Sequence, residues 1–220
     1  MNYREYLQKV IYVCVDPLIR GMLKMGLTPN AITFAGFVGN LIAAWYFITA
    51  GEKLASPEPN AYAYIVVAGA LILFAGLFDM LDGRMARLGN LSSTFGALWD
   101  STLDRYSELV TLFGVAAMFG NAGNDWQWMS VITGIALIGS IMVSYVRARA
   151  EALDIECKVG IMQRPERVVV LAVGALASGL TANLLWLALG IGVIALLANI
   201  TAFWRIGHCY KELKKKDAAK

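Results

Sequence analysis

The chain has 220 residues and a formal net charge of +3, with 16% of residues charged and 58% hydrophobic; its mean hydropathy is +0.59. Soluble domains have about a quarter of their residues charged, so this composition excludes an ordinary soluble enzyme, gives no basis for a nucleic-acid partner and indicates a membrane protein. A spanning helix needs roughly 20 apolar residues, which leaves room for several spans and none for a separate soluble domain.

Residues 2–26 mix Tyr3, Tyr6, Leu7, Val10, Ile11, Leu18, Ile19 and Leu23 with Arg4, Lys9, Arg20 and Lys24. This pattern predicts an amphipathic helix lying on the cytoplasmic membrane surface, ended by Gly26. Thr28-Pro29 supplies an N-cap and a first-turn proline for the next helix. Apolar segments at about 31–50, 61–82, 100–120, 127–147, 166–180 and 183–204 then predict six transmembrane helices. The expected class is an all-α integral membrane protein: one membrane domain over 1–220, with six spans within 31–206 and a basic cytoplasmic tail at 207–220. Lys211–Lys220 reads as a positive anchor on anionic lipid, and the lone His208 as an interfacial polar residue.

Six spans put both termini on one side. With that topology, 18 of the 19 Lys and Arg fall on the side of the termini and only Lys53 falls opposite. The positive-inside rule makes that side cytoplasmic, so both termini and the helix ends near Asp82 and Asp100 face the cytosol in a multi-pass cell-membrane protein.

The chemistry is concentrated in Asp79, Asp82, Asp100 and Asp104, four carboxylates within 26 residues. Ionisable groups at membrane depth are costly unless paired and point to function. Asp79, Asp82, Gly83 and Ala86 lie at i, i+3, i+4 and i+7, and Gly96, Asp100 and Asp104 lie at i, i+4 and i+8, so each set shares a helix face. Two antiparallel helices joined by a short turn can bring these faces together beside a groove lined by small residues. Carboxylates without His or Cys suit Mg²⁺, Mn²⁺ or Ca²⁺ rather than zinc. Two bland readings compete: salt bridges to Arg84, Arg87 and Arg105, and a divalent-cation transporter. Transporters place such sites near the bilayer midplane, whereas these residues sit at helix ends.

The string Asp79-x2-Asp82-Gly83-x2-Ala86-Arg87-x8-Gly96-x3-Asp100-x3-Asp104 resembles the full signature of the CDP-alcohol phosphotransferases (phosphatidyltransferases). Leu27-Thr28-Pro29-Asn30-Ala31-Ile32-Thr33 is similar to the segment opening that family's first span, and the six-span plan covers nearly the whole chain. The resemblance implies an enzyme of phospholipid biosynthesis, working as a homodimer. An acceptor hydroxyl attacks the lipid-side phosphorus of a CDP-lipid such as CDP-diacylglycerol, and CMP leaves. It further implies a two-metal site of Mg²⁺ or Mn²⁺ held by Asp79, Asp82 and Asp100, with Asp104 as general base and a further contact to metal. The CDP pocket would use Asn30, Thr33, Asp82, Gly83, Ala86, Arg87 and Gly96.

For the acceptor, Arg147, Arg149, Arg164, Arg167 and Arg205 fall on cytoplasmic helix ends. Several arginines without matching acids read as a phosphate clamp, which suits a polar alcohol phosphate. The stretches Arg147-Ala148-Arg149-Ala150-Glu151 and Arg164-Pro165-Glu166-Arg167 resemble those of the phosphatidylinositol-phosphate synthases within the family, which implies inositol 1-phosphate. Glycerol 3-phosphate, the acceptor of phosphatidylglycerophosphate synthases, is the alternative. Glu108, one turn past Asp104, reads either as a supporting group behind the site or as a buried structural acid.

Overall fold

In the computed structural model the described residues are 15–56 and 60–218. Residues 15–24 are helical, and six long helices follow: α1 (Pro29–Ala55), α2 (Ala61–Leu88), α3 (Thr94–Asn121), α4 (Trp128–Glu151), α5 (Arg164–Thr181) and α6 (Leu185–Ala218). No strand occurs among the described residues. The leading helix is observed only from residue 15; the rest of the predicted 2–26 element lies outside the described residues. Its end follows the sequence, with Gly26 at φ +80° and the Leu27 amide bonded to the Met22 carbonyl at 3.1 Å. Thr28 Oγ1 then accepts the Ala31 amide at 3.3 Å and caps α1.

Among the described residues, four helices are long and apolar enough to cross a membrane: α1, α2, α4 and α6. The other two fall short for local reasons. Helix α3 carries Asp100, Asp104, Arg105 and Glu108 before or near its midpoint, and α5 has 18 residues with Arg164, Glu166 and Arg167 in its first turn.

Segments of these helices form two compact units. The first contains residues up to Gly39 together with Phe74–Tyr106. Its core is Ile19, Ile32 and Met85, with Phe78 and Leu81 packed against them, so the leading helix is held by apolar contact with α1 and α2. Asp16 adds a two-pronged bond to Arg84, at 2.8 and 2.7 Å.

The second unit contains Asn40–Leu73 and the chain from Ser107 onward. Its core joins α1, α2 and α3 to α4, α5 and α6 through Phe47, Ile65, Leu112, Phe119, Ala136, Leu171, Leu187 and Ile191. Small residues permit the closest crossings: a Cβ on Gly114 would lie 2.8 Å from Ala44 Cα, and one on Gly51 would lie 2.7 Å from Met118 Cα. Gly69 abuts Ala175 and Gly139 abuts Asn199, whereas Gly76 and Gly134 have open space where a side chain would be.

Helix α6 does not stop at the expected tail; it runs on to Ala218. Its polar side chains hold the 152–163 loop along its length. The Met162 amide donates to Thr201 Oγ1 at 3.3 Å, and Arg205 Nε donates to the Val159 carbonyl at 2.9 Å. His208 Nε2 meets the Glu156 carbonyl at 3.0 Å, and Lys216 donates to the Leu153 and Asp154 carbonyls at 3.0 and 2.8 Å. Loop carbonyls without ladder partners need donors, and the basic face of α6 supplies them.

Candidate active site

Two helix ends within the first unit bring the acidic residues together. Helix α2 continues past Asp82 to Leu88 and closes with Gly89 and Leu91 amides bonded to Met85 and Ala86 carbonyls, both at 2.9 Å. Asn90 takes the left-handed conformation, φ 51°, that reverses the chain. Helix α3 starts four residues later, at Thr94, where Ser93 Oγ accepts the Gly96 amide at 2.9 Å. With this short reversal, Asp79, Asp82 and Asp100 each present a carboxylate oxygen within 4.8 Å of the others. Asp104 is half-buried, one turn farther along α3, and is not part of that triplet.

Next to the triplet is a pocket of about 190 Å³. All seven residues expected to bind CDP line it: Asn30, Thr33, Asp82, Gly83, Ala86, Arg87 and Gly96. Pockets for whole ligands measure roughly 300–1,000 Å³, so this one suits a polar fragment of a larger molecule. A Cβ on Gly83 would meet only the Arg87 guanidinium, at 3.8–4.0 Å, so the pocket is open above Gly83. Gly96 is tighter: a Cβ there would lie 3.0 Å from Ser93 Oγ and 3.4 Å from Asn30 Oδ1. Its missing side chain therefore makes room for these two groups as well as for a ligand. Asn30 is fixed through its carbonyl, which accepts the Trp99 indole at 3.3 Å. Thr33 lies beside Asp82 and donates to the Pro29 carbonyl at 3.1 Å.

Sequence reasoning missed Ser92 and Ser93 in this wall. A serine pair just before a helical run is an N-terminus signal, and it directs the amide-rich start of α3 to the pocket, a favourable place for an anion.

The donor set fits a divalent cation. Asp82 is 5% exposed, and its Oδ2 is buried without a hydrogen-bond partner. A buried acceptor of this kind is costly, and a hard cation would satisfy it with the oxygens of Asp79 and Asp100. The Arg84 guanidinium forks onto Asp16, and Arg105 Nη1 donates to the Ser101 carbonyl at 2.5 Å.

The arginines of the second unit differ in environment. Arg147 and Arg149 are exposed and Arg164 is half-buried. Arg205 is 3% exposed, donates from Nη1 to the Val143 carbonyl at 2.5 Å, and lies within electrostatic reach of Arg147 and Arg167. The expectation that these arginines lack acidic partners is corrected at two positions. Arg147 pairs with Glu151 at 2.9 Å. Arg167, 2% exposed, forks onto Glu108 at 2.5 and 2.9 Å and donates to the Met162 carbonyl at 2.9 Å. Glu108 is thereby a buried, hydrogen-bonded acid. These partners are 59 residues apart, so helical spacing could not reveal them.

The acidic triplet against a small-residue pocket is a candidate divalent-metal site in an all-helical chain with helices long and apolar enough to cross a membrane. A family profile described as CDP-alcohol phosphatidyltransferase matches residues 26–204, and the chain belongs to that family. It is therefore a membrane transferase of phospholipid biosynthesis. It is 35% identical over 206 residues to the archaetidylinositol phosphate synthase of Methanothermobacter thermautotrophicus, covering 93% of both chains. It is 34% identical over 176 residues to the phosphatidylinositol phosphate synthase of Mycobacterium marinum, covering 80% of this chain and 70% of that one. The fold matches the crystal structure of Mycobacterium tuberculosis phosphatidylinositol phosphate synthase with CDP-DAG bound, with a TM-score of 0.78, 29% identity, and coverage of 89% and 93% of the two chains. A second crystal structure of that enzyme, in complex with manganese and citrate, also gives a TM-score of 0.78 at 29% identity, covering 88% of each chain.

Proposed function

We propose that the protein transfers a phosphatidyl group from CDP-diacylglycerol to a hydroxyl of inositol 1-phosphate, releasing CMP. The observation that carries the proposal is the acidic triplet of Asp79, Asp82 and Asp100 beside a pocket lined by every motif residue assigned to CDP. Relatives named as inositol phosphate synthases support the acceptor.

In this reading Asp79, Asp82 and Asp100 hold Mg²⁺ or Mn²⁺, and Asp104 adds a ligand if two ions bind. The bound cations would neutralise pyrophosphate charge and stabilise the attacking and leaving oxygens. Asn30, Thr33, Gly83, Ala86 and Gly96 seat the cytidine monophosphate moiety, and Arg87 offers it a positive charge. Asp104 accepts the proton of the attacking hydroxyl. The acceptor oxygen then forms its bond to the lipid-side phosphorus, while the bond from that phosphorus to the CMP oxygen breaks and CMP departs with the electron pair.

Arg147, Arg149, Arg164, Arg167 and Arg205 bind the acceptor phosphate. Mutual repulsion between Arg147 and Arg205 is relieved by an anion, which supports this assignment. The chain crosses the membrane six times within one membrane domain, with α3 and α5 completing the set, both termini and the site cytoplasmic, and two copies forming a homodimer. A direct test offers radiolabelled CDP-diacylglycerol with each acceptor alone. Turnover with inositol 1-phosphate is expected; turnover with glycerol 3-phosphate and none with inositol 1-phosphate would refute the acceptor assignment.

A further inference from the structure

Two cysteines meet where the 152–163 loop lies against the far end of α6. The loop runs antiparallel to the helix, and hydrogen bonds set its register. The Met162 amide bonds to Thr201, Arg205 to the Val159 carbonyl, His208 to the Glu156 carbonyl, and Lys216 to the Leu153 and Asp154 carbonyls. Cys157 sits between the loop residues tied to His208 and to Arg205. Cys209 follows His208 and lies one turn after Arg205 on the same helix face. This register brings the two side chains together.

Packing agrees with it. Cys157 is 2% exposed and clusters with Ala150 and Ile155, and Cys209 and Leu213 of α6 pack against that cluster. The Cys157 thiol is within hydrogen-bonding range of Cys209 and feels the positive charges of Arg205 and Arg147. Both cysteines are free thiols. A single buried cysteine packs as a small apolar residue, but two in contact can also be oxidised to a disulfide.

The pair is unequal in the way such chemistry needs. Burial pushes the Cys157 thiol above its ordinary 9.0 and shields it from a bulky oxidant. Cys209 is half-buried and is the thiol that an oxidant reaches first.

We propose that Cys157 and Cys209 are a redox modification site, at which a small-molecule disulfide such as glutathione disulfide drives formation of an internal disulfide that staples the 152–163 loop to α6. The Cys209 thiolate attacks one sulfur of the oxidant, whose first thiol leaves and takes up a proton. Cys157 gives its proton to solvent and attacks the Cys209 sulfur, and the second thiol leaves. Two electrons and two protons pass from the protein to the oxidant, which ends as two thiols. The new bond closes a loop of roughly 50 residues, long enough for a substantial stabilisation.

The test incubates full-length protein in lipid vesicles with glutathione disulfide, then alkylates the remaining thiols and maps the peptides by mass. A Cys157–Cys209 cross-link is expected, and dithiothreitol should remove it. The oxidised protein should melt on the order of 5–10 °C above the reduced protein, and amide exchange across residues 153–160 should slow by about tenfold or more. Cys157→Ser should stop at a mixed disulfide on Cys209, and Cys209→Ser should resist oxidation at Cys157. Melting of the reduced variants checks that they fold, and Cys157→Ala replaces the serine variant if it does not. A mixed disulfide that persists on Cys209 in the wild type would overturn the proposal. So would a cross-link to Cys14 or between copies in place of the internal one, no oxidation under a large excess of glutathione disulfide, or a cross-link that leaves loop exchange unchanged. None of these readouts depends on transfer activity.

Discussion

Replacing Asp82 with asparagine keeps the size and most hydrogen-bonding capacity of the side chain while removing one of three negative charges. The carboxylate oxygens of Asp79, Asp82 and Asp100 come within 4.8 Å of one another. At that distance each charged pair repels by about 1 kcal/mol in water and by roughly 3.5 kcal/mol at an effective dielectric constant near 20. Asp79 is exposed, so its pair with Asp82 lies near the lower figure; Asp100 is half-buried, so its pair lies nearer the upper one. Relief of about 2–4 kcal/mol follows, or a rise in Tm on the order of 5–10 °C for a chain of this length. The gain should appear only with metal removed. With Mn²⁺ at a hundred times its Kd the wild type gains about 2.7 kcal/mol, and the variant gains less because a ligand is missing. Tryptophan-fluorescence melting in chelator and in Mn²⁺ should therefore show the variant above the wild type in the first condition and a far smaller metal-induced shift in the second. A variant that melts below the wild type in chelator would mean that the Asp82 carboxylate serves the fold as an ion-pair partner, contrary to the metal-site argument.

Gly83→Ala should leave stability unchanged or raise it by about 0.5–1 kcal/mol, since alanine favours a helix and nothing but the Arg87 side chain is near; the KM for CDP-diacylglycerol should nevertheless rise, as kinetics would report. Gly114→Ala should destabilise by about 1–3 kcal/mol in thermal or denaturant unfolding, because its Cβ would lie 2.8 Å from the Ala44 backbone. The Arg84 guanidinium beside Asp16 holds its carboxyl below the ordinary 3.8. This pair therefore stabilises the fold above that pH and loses its contribution as pH falls through the lowered value. Asp16→Asn should lower Tm at pH 7 and matter progressively less in acid below pH 3.8. Lys216→Ala should speed amide exchange at residues 153–156, where Lys216 holds two carbonyls; unchanged exchange would return that residue to a purely lipid-facing role.

The acidic triplet was legible because its determinants are local. Spacings of three and four residues put carboxylates on one face of each helix, and Gly89-Asn90 with Ser92-Ser93 forces a reversal between them. The entry to α1 was equally local, through Gly26 and Thr28-Pro29. Other features depended on distant partners. The continuation of α6 to Ala218 answers the unpaired carbonyls of the 152–163 loop, and nothing in the Lys211–Lys220 composition distinguishes such a brace from a lipid anchor. The burial of Arg167 likewise follows from an acid 59 residues away. By length and hydropathy α1, α2, α4 and α6 stand out as spans, whereas α3 and α5 carry charged residues toward their N-terminal ends.

The most direct test of the central claim is CMP release by purified protein in lipid, given CDP-diacylglycerol, Mg²⁺ or Mn²⁺, and either inositol 1-phosphate or glycerol 3-phosphate. Asp100→Asn serves as the control. Release that requires metal, inositol 1-phosphate and Asp100 is the predicted result. Folded protein that releases no CMP with any acceptor, yet carries divalent metal into liposomes, would contradict the account and identify the acidic triplet as a cation pathway.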